Sequence, residues 1–63
     1  MHLTIRETAE MKRMGYTIKA MYRTEKGVPF PKYFRGKEEM ERFTAEAEQA
    51  GSRLTASAER GIG

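Results

Sequence analysis

The chain of 63 residues carries twelve Lys and Arg against nine acidic residues, all glutamate, for a net charge of +3, with one histidine and no cysteine. So short a chain buries only about 60% of the surface that its unfolded form exposes, so one marginally stable domain spanning 1–63 is expected, which a partner or a homodimer contact would help to stabilise. The absence of cysteine excludes disulfide and thiolate chemistry, no apolar run approaches the roughly 20 residues of a membrane span, and the charged start lacks the apolar core of a secretory signal. A cytoplasmic location without a membrane partner is the expectation.

Residues 1–15 admit two readings. Thr4 and Glu7 have capping-box spacing and Gly15 can end a helix over Ile5 to Met14. Leu3 and Ile5 also alternate with His2, Thr4 and Arg6, as in a short strand. The capping pair tilts the balance towards the helix.

YTIKAMYRTE, residues 16–25, alternates with period two, placing Tyr16, Ile18, Ala20 and Tyr22 on one side and Thr17, Lys19, Met21 and Arg23 on the other. Glu25-Lys26-Gly27 is turn chemistry. In GVPFPKYFRGK, residues 27–37, Val28, Phe30 and Phe34 share one parity, Tyr33 and Arg35 the other. The two runs therefore predict a hairpin. Pro29 and Pro31 cannot donate to a ladder, and their common parity turns both missing N–H groups away from the partner, as on an edge strand.

Residues 36–51 place Met40, Phe43, Thr44, Ala47 and Ala50 on one helical face and Glu38, Glu39, Glu41, Arg42, Glu46 and Glu48 around the rest. This predicts a helix from Lys37 to Ala50 with Phe43 as its main anchor and Gly51 as its stop. Its acidic outer face reads as solvated. Ser52 to Glu59 alternates Leu54, Ala56 and Ala58 inward with Arg53, Thr55 and Ser57 outward, a weak third strand, and residues 60–63 read as a frayed tail.

The predicted architecture is a small single α+β domain, an antiparallel hairpin plus a third strand packed on one amphipathic helix, with an N-terminal segment that is helix or short strand. Met40, Phe43 and Ala47 would pack on Ile18, Tyr22, Phe30 and Phe34. The opposite sheet face would stay open unless residues 1–15 cover it through Met11 and Met14.

Catalytic constellations are missing. His2 is the only histidine and aspartate is absent, so neither a zinc cluster of ordinary composition nor a Ser-His-Asp triad can be assembled, and no GxxxxGK[ST] loop occurs. The expectation is a non-enzyme without metal or cofactor. Strand parity gathers Lys19, Met21, Arg23, Tyr33 and Arg35 on the open face, where an adaptable methionine and bidentate arginines form a partner-binding surface. Two functions fit: a module that binds a larger protein or nucleoprotein complex, or a basic nucleic-acid binder that stacks bases on the sheet. Against the second, no RNP1-like run exists.

In general make-up, as a short, basic, cysteine-free αβ chain, it resembles the small orphan proteins of phages and mobile elements, whose best-known binders are the anti-CRISPR proteins. The resemblance rests on no motif. It implies an inhibitor that blocks by protein contact, since a +3 chain cannot imitate nucleic-acid charge as the acidic mimics of that group do.

Overall fold

The period-two run of β1 (Ile18–Arg23) becomes the central strand of an antiparallel sheet, flanked by β2 (Pro29–Phe34) and β3 (Arg53–Glu59), in the computed structural model, which describes residues 1–61. Helices α1 (Ile5–Met14) and α2 (Lys37–Gln49) complete the fold. Ile18, Ala20 and Tyr22 are buried, as alternation requires of a strand packed on one face.

The hairpin closes through a tight turn in which Gly27 N–H donates to the Thr24 carbonyl at 2.8 Å and Thr24 N–H to the Val28 carbonyl at 2.9 Å. Gly27 sits at φ 84, where a Cβ would be strained. The Thr24–Val28 bond sets the parity of the ladder, because bonded and non-bonded pairs alternate along antiparallel strands. Phe30, Lys32 and Phe34 thus face β1 with their amides, and Pro29 and Pro31, opposite Arg23 and Met21, turn their blocked nitrogens outward on an edge strand.

α2 begins with Glu38 and Glu39 in its first turn, favourable at the positive end of the helix dipole. It ends one residue before the expected Ala50. Ser52 N–H reaches the Ala47 carbonyl at 2.9 Å and Gly51 N–H the Glu48 carbonyl at 3.1 Å, with Gly51 left-handed at φ 92. The helix lays Met40, Phe43 and Ala47 on Ile18, Ala20, Tyr22 and Phe34, with Phe30 and Leu54 at the margins. The Phe43 ring meets Tyr22 edge-on at 5.2 Å between centroids and Phe34 at 5.7 Å, and Tyr22 stacks on Phe30 at 5.4 Å. Such aromatic pairs add about 0.5 to 1.5 kcal/mol each beyond area burial.

The fully buried Tyr22 keeps its hydroxyl satisfied at Thr44 Oγ1, 2.8 Å away. Thr44 gives its only hydroxyl proton to the Met40 carbonyl at 2.7 Å, so the tyrosine is the donor. That bond sets the position of α2 along the sheet.

Residues 5–14 are helical. Thr4 Oγ1 accepts from Glu7 N–H at 3.0 Å, Glu7 Oε1 accepts from Thr4 N–H at 3.1 Å, and Gly15 closes the helix at φ 83. Both orphan donors are satisfied by the same pair, and the short-strand reading is set aside.

Three expectations are corrected. Tyr16 does not continue the inward row of β1: the strand starts at Ile18, and Tyr16 stacks instead on Tyr33, on the opposite face. Leu54, Ala56 and Ala58 do not share one face either, because Met21 pairs with Ala56 and Tyr22 with Leu54, leaving Thr55 as an extra residue. This bulge keeps Leu54 on the α2 side and sends Ala56 and Ala58 to the other. Thr55 secures it by donating its hydroxyl to the Met21 carbonyl at 3.1 Å. Of the expected tail, Arg60 is held by its N–H on the Thr17 carbonyl at 2.9 Å and its Nε on the Tyr16 carbonyl at 2.7 Å, while residues 62 and 63 lie outside the described residues.

Thr44→Val should destabilise more than Tyr22→Phe, by about 1 to 3 against about 0.5 to 1.5 kcal/mol in chemical denaturation, because the first strands a buried hydroxyl and the second removes it. Phe43→Ala should cost about 3 kcal/mol, the lower end for such truncations, because the ring is only half-buried. An unchanged melting curve for Phe43→Ala would remove α2 from the core.

Candidate functional site

The sheet face opposite α2 is built from Lys19, Met21 and Arg23, with Tyr33, Pro31 and Pro29 across from them on β2 and Ala58, Ala56 and Arg53 on β3. Directly opposed residues of an antiparallel pair project to the same side, so these nine positions form one surface.

α1 lies over one end of it. Met11 is buried at 2% exposure, and Glu7 forms an ion pair with Lys19. The Tyr33 ring lies 5.7 Å from Tyr16 and 5.9 Å from the Lys19 ammonium, and the Arg35 guanidinium sits 4.7 Å above Tyr16. A groove of about 350 Å³ runs between α1 and this tyrosine stack, with half-exposed Met14 on its wall.

Electrostatics couple the cover to the sheet. Glu7 is held below the usual carboxylate range, first by its hydrogen bond with Lys19 and then by the Thr4 backbone N–H, and Lys19 is raised above the usual lysine value by the same carboxylate. The Glu7 contribution is therefore fully present above the ordinary glutamate pKa and is lost as pH falls from there through the lowered value, whereas the Lys19 contribution is fully present below the ordinary lysine pKa and is lost as pH rises from there through the raised one.

The opposite end of the face is uncovered by α1. Arg23 is exposed and donates from Nη1 to the Gly27 carbonyl at 2.8 Å. Arg53 stands directly opposite it, also exposed, and the two flank a shallow hollow of about 320 Å³ that is rimmed by Gly27, Glu25 and Gly51. Half-buried Met21 lies between Pro31 and Ala56 on the way to this end.

Of the five residues assigned to the face by strand parity, Lys19 and Tyr33 are drawn into the α1 contact and Arg35 is folded over Tyr16, while Met21 and Arg23 remain on the uncovered part. Arg53 and Ala56 were missed. Nothing short of the β1–β3 register identifies them, because the bulge at Thr55 decides which β3 residues join Arg23 and Met21. Among the described residues no three His, Cys, Asp or Glu side chains gather as metal ligands, and no helix is long and apolar enough to cross a membrane. No family model, curated protein or solved structure matches the chain.

Glu7→Gln keeps an N3 group that can cap but removes the charge, so α1 should stay helical while its seat on the sheet loosens. The Met11 methyl resonance should move towards its exposed position as the parent is taken from about pH 5 to about pH 3, and that pH dependence should vanish in Glu7→Gln.

Proposed function

We propose that this chain is a non-enzymatic protein-binding module that docks through the uncovered half of its sheet, around Met21, Arg23 and Arg53. In the manner of the small phage-type inhibitors that it resembles in make-up, it works by occupying the surface of a larger assembly. The observation that carries this reading is the partition of the face: α1 and Tyr16 engage Lys19, Tyr33 and Arg35, and what is left is a methionine set among prolines and alanine with two exposed arginines at its rim. An apolar centre with an arginine edge is the composition of a protein interface, where Met and Arg are enriched.

Nucleic-acid binding is the less favoured reading on a specific ground. Base stacking along a strand needs several accessible aromatic faces, and this side of β2 offers one half-buried ring, Tyr33, which already gives one face to Tyr16.

A photo-crosslinking residue in place of Met21, compared with one in place of Glu41 on the outer side of α2, tests the proposal in source cells. Position 21 should give discrete protein adducts and position 41 none. Adducts to nucleic acid from position 21, or equal yields from both positions, would overturn it, and adducts only to a second copy of the chain would replace the larger assembly with a homodimer.

A further inference from the structure

Arg23 and Arg53 are exposed cross-strand partners of like charge. Directly opposed like charges destabilise a sheet, and a carboxylate beside them would offset the repulsion. None is provided: among the described residues neither arginine has a carboxylate within ion-pairing distance, although Glu25 lies on the same rim. The Glu25 side chain runs instead along Gly51, where its Oε2 would stand 2.7 Å from any added Cβ. The close approach of the hairpin turn to the α2–β3 turn thus keeps Glu25 against a glycine.

One guanidinium is already oriented. Among the described residues Arg23 spends one of its five N–H donors on the Gly27 carbonyl and the Arg53 side chain spends none, so both face the hollow with donors to offer. Two planar forks at cross-strand distance suit an oxyanion, which each can meet with paired, charge-assisted hydrogen bonds.

We propose that Arg23 and Arg53 together grip a carboxylate of the partner protein, an acidic side chain that enters the hollow beside Gly27 and relieves the repulsion between them. The inference rests on the docking reading above. A single carboxylate fits better than a nucleic-acid backbone, whose run of successive phosphates would crowd further negative charge around Glu25 on the rim.

Arg53 is the residue to change, since Arg23 also supports the turn. In the free protein at low salt, Arg53→Gln should melt at a higher temperature than the parent, and the gap should close as salt screens the pair. Titration with a blocked oligoglutamate peptide should move the Nε–H resonances of Arg23 and Arg53 saturably, with affinity falling about fivefold or more in Arg53→Gln. Arg53→Lys should keep the parent's melting behaviour and still lose affinity, because lysine cannot present a fork. A melting temperature that Arg53→Gln leaves unchanged or lowers, or peptide binding that it leaves intact, would overturn the arginine grip. Saturable shifts with inorganic phosphate and none with the peptide would overturn the carboxylate. If position 21 crosslinks to protein while Arg53→Gln binds the peptide normally, the grip alone fails; if the peptide binds as expected and position 21 gives no protein adduct, the docking reading fails.

Discussion

One ring and its hydroxyl govern this domain. Tyr22 is wholly buried on the central strand, one residue from its end, its ring is shared between Phe30 of β2 and Phe43 of α2, and its O–H is committed to Thr44. Only four other side chains among the described residues reach burial, so there is little else to fix how helix and sheet meet. Hydrophobic contact alone would tolerate α2 sliding along the sheet. A buried hydroxyl with a single acceptor does not, because every displaced position strands it. With α2 fixed, its C-terminal turn delivers β3 to the free side of β1, and Gly51 arrives against Glu25 of the hairpin turn.

The fold was legible wherever its cause is local. The inward row of β1, the apolar face of α2, the capping pair Thr4 and Glu7 and the parity of Pro29 and Pro31 all depend on residues within a turn or a strand of one another. What failed depends on contacts between distant segments. Tyr16 obeys the alternation of β1 yet leaves it, because the closing turn of α1 at Gly15 fixes where the chain enters the strand. The β3 pattern reads as one clean stripe, and a single extra residue at Thr55 splits it between the two faces. That same register creates the Arg23–Arg53 opposition, so the candidate site was half visible, on the strand that alternates, and half hidden, on the strand that bulges.

Charge is sorted between the two sides of the molecule. α2 carries five glutamates on its outer surface against Lys37 and Arg42, whereas the uncovered part of the sheet presents arginines and no glutamate among its cross-strand pairs. A chain of net +3 thus holds its excess away from the acidic helix. Approaching a negatively charged protein surface, it would be turned sheet-first by its own field, an orienting effect that acts over about a Debye length.

The proline edge bears on how such a sheet can grow. β2 ends the sheet on one side with two residues that have no N–H to offer, whereas β3 leaves the outward groups of Ser57 and Glu59 unpaired by any other strand among the described residues. Strand addition is therefore one-sided. A strand added at β2 would lack two of the three outward N–H donors, those of Pro29 and Pro31, and keep only that of Tyr33, whereas one added at β3 would meet no proline. The same Pro-x-Pro spacing that marks an edge in the sequence thus makes the two margins of the sheet unequal as templates, the β2 side being the poorer one for an incoming strand.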